Sequence, residues 1–236
     1  MEIKDRFLNF PIVLLQGFLE DHKRCLDNIF HYSVFEMVYS DKARFENVDE
    51  FIEEFEFDIP KKFIPSIIMQ GRELYDSCYG MNYPWTGIHI DTYLRFVESR
   101  NQFDLVCLLL FLALKSIVQK KPYCNTKNPE ILARMAGFPK KDGNIPENIL
   151  YWMKCESRRR KVFTELEKHY KLVRAYRARG ITFSINKLNQ VELELAIMKR
   201  NEQKAERDAI AKKEKAKNEA KRMFEEWKRK RRNEGI

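Results

Sequence analysis

A chain of 236 residues, 44% of them hydrophobic, is long enough for a real core in one or two domains, and 8 Gly with 8 Pro are too few for an all-β chain built on tight turns. The net charge of +9 is unevenly held: residues 1–100 carry 11 Lys/Arg against 18 Asp/Glu, residues 154–179 carry 10 against 3, and residues 199–236 carry 15 against 8. Basic charge gathered into two segments calls for a polyanionic partner, which a uniformly basic chain would not.

In chain order, Met1 to Arg6 lead into no apolar run of the secretory type, so no signal peptide is expected. Phe10-Pro11 opens an apolar stretch, Ile12 to Leu19, broken at Gly17. A helix is predicted from His22 to Tyr39, because Cys25, Leu26, Ile29, Phe30, Ser33, Val34, Met37 and Val38 recur at three and four residues. Asn47 or Asp49 can cap a short acidic helix that ends before Pro60. Another helix runs from Phe63 to Tyr79, stopped by Gly80 and Asn82-Tyr83-Pro84, and Asp91 can cap one through Tyr93, Leu94 and Val97.

Phe103 to Val118 is apolar on nearly every side and belongs at the centre of a core. Its longest apolar run, Leu105 to Leu114, is about half the ~20 residues a bilayer span needs. After Lys120-Lys121-Pro122, Asn128 can serve as N-cap, with Pro129 at the first helical position, of a short helix over Glu130 to Ala136, with Gly137 as its terminating glycine. Pro146 opens a further helix through Ile149, Leu150, Trp152 and Met153. From Lys187 to Arg232 there is no Gly or Pro, and Ala, Glu, Lys and Arg dominate without a sustained heptad. That predicts a long solvated helix with a small apolar patch at Met223, Phe224 and Trp227.

The stretch between these helices carries the chemistry. With Ser157 as N-cap, a helix begins in which Val162, Phe163, Leu166 and Tyr170 make one apolar stripe. Arg160, Lys161, Thr164 and Lys168 lie opposite, with Arg158 on the N-terminal flank. Such a helix can rest on a core while presenting guanidinium, ammonium and hydroxyl groups, and its positive end, to phosphates and guanine edges. Next comes a hairpin. Ile181, Phe183 and Ile185 alternate with Thr182 and Ser184 as a half-buried strand, and Gly180 turns the chain behind Arg174, Arg177 and Arg179. The tip therefore carries arginines where a sugar-phosphate backbone or minor groove could be touched. Lys228, Arg229, Lys230, Arg231 and Arg232 add auxiliary, salt-sensitive phosphate contacts.

A basic amphipathic helix running straight into an arginine-tipped hairpin resembles the recognition helix and wing of the winged helix-turn-helix superfamily. In general appearance it is nearest to phage and plasmid regulatory or replication proteins. The resemblance covers roughly residues 103–186. It implies Phe103–Val118 as first helix and either 129–136 or 147–154 as second, although about twenty residues separate Gly137 from Ser157 where such connections are short. The expected architecture is mainly α. An acidic helical domain (1–100), the expected site of self-association or partner contact, is followed by a winged helix domain (101–186) and a basic extended helix (187–236).

Known catalytic patterns are missing. No Cys-x-x-Cys, His-x-x-x-His, Walker-type or dinucleotide-type glycine loop occurs, and Ser66 and Ser116 have no glycine elbow. Neither a metal, a cofactor nor a small-molecule ligand is expected. Five scattered cysteines point to reduced thiols in a cytoplasm. The resulting expectation is a non-enzymatic protein that binds double-stranded DNA, can pair as a homodimer and works away from membranes, in transcription regulation or replication initiation of a mobile element. Two alternatives stay open: a protein-interaction adaptor built on a winged helix, and a metal-dependent nuclease drawing on Glu53, Glu54, Glu56 and Asp58.

Overall fold

The computed structural model of the protein describes residues 6–41, 43–139, 143–177 and 180–233. It is mainly helical with two small antiparallel sheets and a long C-terminal helix. None of the described helices is long and apolar enough to cross a membrane.

The first element among the described residues is a strand, where the sequence suggested only helices. β1 (Phe7–Pro11) pairs antiparallel with β2 (Trp85–His89), from Phe7 opposite His89 to Pro11 opposite Trp85. Leu8 and Phe10 point into the core, and Pro11 closes the ladder where its missing N–H costs nothing. α1 (His22–Tyr39) follows, with the Asp21 carboxylate accepting from the Arg24 N–H at 3.1 Å. α2 (Val48–Phe55) is capped by Asn47, whose side chain accepts from the Glu50 N–H at 2.9 Å. α3 (Ile64–Cys78) lies against α1 so closely that a Cβ on Gly71 would sit 2.3 Å from the His31 carbonyl oxygen. α4 (Ile90–Val97) takes His89 as its N-cap, two residues before the expected Asp91, which lies inside the first turn. The rings of Phe30, Phe45, Phe51, Phe55, Phe57 and Tyr93 interlock beneath these helices. That cluster absorbs much of the aromatic content, although Tyr79 stays exposed.

α5 (Gln102–Val118) buries Leu105–Leu110, Leu112–Leu114, Ser116 and Val118, so it has neighbours on every side. Towards the N-terminal half, Thr86 donates to the Leu112 carbonyl at 2.9 Å and Lys115 to the Gly87 carbonyl at 2.8 Å. Its other faces receive the elements that follow. β3 (Cys124–Thr126) leads into α6 (Asn128–Met135), which starts one residue earlier than the Asn128 cap implied, with Lys127 as N-cap. α6 ends as the glycine predicted: Gly137 has φ +76°, its N–H bonds the Arg134 carbonyl at 3.1 Å, and the Phe138 N–H reaches back to the Ala133 carbonyl at 2.8 Å. α7 (Glu147–Lys154), α8 (Glu156–His169), β4 (Leu172–Arg177) and β5 (Gly180–Ile185) complete this part.

Residues 1–188 form one compact unit and 189–236 another. A single apolar core runs from Leu8 to Phe183, across residue 100, and residue 187 lies next to the division between the two units. The second unit is α9 (Gln190–Asn233), 44 residues started by a reciprocal cap between Asn189 and Glu192. At 1.5 Å per residue it spans about 66 Å. Near its end the Phe224 and Trp227 rings stack at 5.8 Å, with the Lys228 ammonium 4.5 Å from the Phe224 centroid.

Candidate nucleic-acid interface

The corner that sets up the site is made by one residue. Cys155, with extended φ and ψ of −73° and 121°, separates α7 from α8 and is the N-cap of α8. Ser157, expected in that role, lies in the first turn instead. A helix that stops so abruptly leaves its last carbonyls without partners. Arg158 Nε donates to the Tyr151 carbonyl at 2.6 Å, and Arg159 donates to that of Met153 at 3.4 Å. The Arg158 guanidinium also lies 3.8 Å from the centre of the Tyr151 ring. Arg158 thus fastens the corner; it is not a loose flank contact.

Beyond that corner α8 behaves as its sequence dictates. Val162, Phe163 and Leu166 are buried, while Ser157, Arg160, Lys161 and Lys168 are exposed and Thr164 is half-buried. At 100° per residue, positions 157, 160, 161, 164 and 168 fall within one arc about 100° wide. No described residue pairs with the Arg160, Lys161 or Lys168 charge, so all three are available to a partner. Of the three α8 carboxylates, Glu165 lies 3.2 Å from His169 Nε2 and Glu167 pairs with Arg174, while Glu156 is exposed in the first turn.

The sheet order is β3-β5-β4, so the strand before the helices pairs with the last strand of the hairpin. That places β5 in the centre and buries Thr182 and Ser184 along with Ile181 and Phe183, where a half-buried alternation was expected. Gly180 is needed at the hairpin: its φ is +155°, and a Cβ there would come within 2.3 Å of the Thr126 carbonyl oxygen.

Arg174 on β4 departs from the set read in the sequence. Its side chain is only 8% exposed, lying between the Phe163 ring at 4.5 Å and the Tyr176 ring at 4.8 Å. It donates to the Glu167 carboxylate and the Tyr176 hydroxyl. Arg174 is a strut between hairpin and helix. What it props up is Tyr176, a 66% exposed ring beside the basic helix that sequence reasoning did not single out as a contact. Arg177 ends β4, but its side chain and all of Arg179 lie outside the described residues. So do the side chains of Arg231 and Arg232, whereas Lys228, Arg229 and Lys230 are exposed on α9.

A further signal becomes visible once the strands are paired. Residues 105–129 hold four Lys/Arg and no Asp/Glu, and residues 168–191 hold six and none. β3 comes from the first segment and β4 and β5 from the second, so the sheet joins two acid-free stretches on the flank of α8. Exposed ammonium groups outside the expected set, at Lys120, Lys121, Lys171 and Lys187, belong to it. The two runs are plain in the sequence; that they meet is not.

Cys155 adds local chemistry. Its thiol is 3.2 Å from the Ser157 hydroxyl, and that hydrogen bond, with the Arg158 backbone N–H next in weight, pulls its pKa down to about 7. Burial pushes Cys25 up to about 11 and Cys107 up to about 12. Among the described residues no three His, Cys, Asp or Glu side chains are grouped to hold a metal ion. Of the acidic set, Glu56 pairs with Arg6 at 3.5 Å. No protein-family model, curated protein or solved structure matches the chain.

Proposed function

We propose that this protein binds duplex DNA non-catalytically, through a winged helix-turn-helix formed by residues 101–186. α8 enters the major groove, and the β4–β5 hairpin is the wing. The observation that carries the reading is the unpaired cationic arc of Arg160, Lys161 and Lys168 on a helix flanked by an acid-free sheet. Two further features support it. The order helix, strand, helices, strand, strand, with the first strand beside the last, is the order a winged helix uses. A helix with side chains is about 10–12 Å across, and the major groove is about 12 Å wide. α7 joins α8 through a single residue, which makes it the nearer of the two candidates for the preceding helix, with α6 between β3 and the loop.

On this reading the physiological target is a DNA site governing transcription or the start of replication in a mobile element, in a cytoplasm. Two copies would serve two half-sites about one helical turn apart. The test is fluorescence anisotropy of the full chain on mixed-sequence duplex at several salt concentrations, beside an Arg160→Gln, Lys161→Gln variant. Binding should fall with salt, and the variant should weaken it by about tenfold or more at 0.1 M salt, through two lost phosphate contacts. Binding that the variant leaves unchanged overturns the assignment of α8. Absence of salt-sensitive binding overturns the reading altogether and leaves the protein-interaction adaptor.

A further inference from the structure

We infer that the base of the β4–β5 hairpin is a second phosphate-contact site, built by Lys120, Lys121 and Lys171 around Lys187, that carries the DNA track past the C-terminal end of α8. The inference rests on the proposed DNA binding and adds where the duplex runs.

Three parts of the chain meet there, and the hydrogen bonds that join them are specific. After α5 ends, Gln119 turns with φ +48°, and Lys120 and Lys121 follow, both exposed. Their carbonyl oxygens accept from Lys187 Nζ at 2.7 and 3.1 Å. The Ser184 hydroxyl donates to the Pro122 carbonyl at 2.6 Å, binding the same turn to β5. On the other side the Asn186 N–H bonds the Lys171 carbonyl at 3.1 Å, closing the open end of the hairpin. Lys171 itself sits at φ +51°, in the turn between α8 and β4. One lysine head is therefore spent on backbone carbonyls, which ties the turn carrying Lys120 and Lys121 to the hairpin base that carries Lys171, and all three of those lysines are exposed. Such a gathering of like charge is unfavourable in an isolated protein. Here no carboxylate lies in either segment to offset it, and no described residue forms an ion pair with any of the four.

The position relative to α8 decides the ligand. Lys168 and His169 occupy its last turn, and Lys171 is the next cation along the chain. From Arg160 and Lys161 through Lys168 to Lys171 the cations follow the length of α8, and the Lys187 and Asn186 hydrogen bonds tie the Lys120–Lys121 turn to the far end of that line. α8 is about 20 Å long at 1.5 Å per residue, so the line exceeds the reach of a single phosphate. A polymer of evenly spaced phosphates fits it, and a small anion does not. Duplex DNA that meets the first turns of α8 in its groove brings its backbone over the hairpin base, roughly six base pairs further on at 3.4 Å per step.

The experiment uses the full chain with a duplex of about 30 base pairs and compares salt dependence of binding for three proteins. These are the unaltered chain, Lys120→Gln with Lys121→Gln and Lys171→Gln, and Arg160→Gln with Lys161→Gln. Lys187 is left intact because it holds the turn, and circular dichroism melts check that each variant is folded. Losing three phosphate contacts should reduce the slope of log K against log salt by about 2–3, and weaken binding at 0.1 M salt by at least about tenfold. Shortening the duplex from the side facing the hairpin base should cost the unaltered protein affinity and leave the triple variant indifferent. A triple variant with unaltered slope, beside an α8 variant that loses binding, overturns the second site while the proposed function stands. If neither variant differs from the unaltered chain, the proposed function fails and the second site with it.

Discussion

Replacing Arg174 by alanine separates a strut from a DNA contact. The side chain is 8% exposed, sandwiched between the Phe163 and Tyr176 rings, with its guanidinium on the Glu167 carboxylate. A charge-assisted hydrogen bond contributes about 1.5–3 kcal/mol, and a cation over an aromatic face about 0.5–1 kcal/mol. Glu167 is 37% exposed and can recover water once its partner is gone, so the low end of the first range applies. The expected loss for Arg174→Ala is about 2–3 kcal/mol of folding stability, or roughly 5–10 °C in Tm for a unit of this size. A double-mutant cycle with Glu167→Gln should return a coupling of about 1 kcal/mol. Urea denaturation followed by circular dichroism reads the stability, and anisotropy at matched folded concentration reads binding. Binding should keep its salt slope. A variant within about 0.5 kcal/mol of the parent whose salt slope drops by about one would mean that Arg174 holds a phosphate, and the strut argument would be wrong.

Gly137→Ala should destabilise the protein by about 2 kcal/mol or more, because the position needs φ +76° and a Cβ would stand 2.9 Å from the Gln16 backbone nitrogen; chemical denaturation checks it, and a change under 0.5 kcal/mol refutes it. Iodoacetamide should modify Cys155 far faster than Cys25 or Cys107, at a rate that climbs through a midpoint of about pH 7 and levels above it, since the thiolate is the reactive form. Mass spectrometry against pH follows this, and a midpoint near the ordinary thiol value of 9.0 contradicts the hydrogen-bonded geometry. Stopping the chain after Glu226 removes Lys228–Arg232 and should lower the magnitude of the salt slope by at most about 4–5, with salt-sensitive binding retained. Complete loss on that truncation would move the DNA contacts from α8 to the tail.

The elements legible in the sequence are those whose signal is local. α1 coincides with its predicted ends and α5 starts within one residue of them, because each carries many turns of consistent apolar spacing. Gly137 and Asn47 were readable for the same reason, since a cap is decided within four residues. β1, β2 and β3 were not. They are three to five residues long, too short to show a period, and their partners lie far along the chain. The shared core had a visible sign that went unused: a helix apolar on all sides, such as α5, must have neighbours on all sides. In the site, the outward arc of α8 follows from its own period. The duties of Arg158 and Arg174 do not, because their partners, the Tyr151 carbonyl and Glu167, are set by a one-residue corner and by the register of a hairpin.

The shared core also changes what the charge separation does. Residues 1–100 carry a net −7 and residues 154–179 a net +7, and both belong to one compact unit. On a flexible pair of domains the acidic part could swing towards the basic face and compete with a polyanion for it. Held in one core, it cannot, and the unit presents a fixed asymmetry of charge to anything that approaches. For a polyanion, exposed carboxylates repel and the α8 cations attract, over distances of about a Debye length, ~8–10 Å at physiological salt. Neutralising acidic residues outside the basic segment, such as Glu53 and Glu54 on α2 together, should therefore raise the association rate for duplex at low salt while relaxing the preferred orientation. Adding salt should erase that gain first, because it rests on long-range field and not on contact.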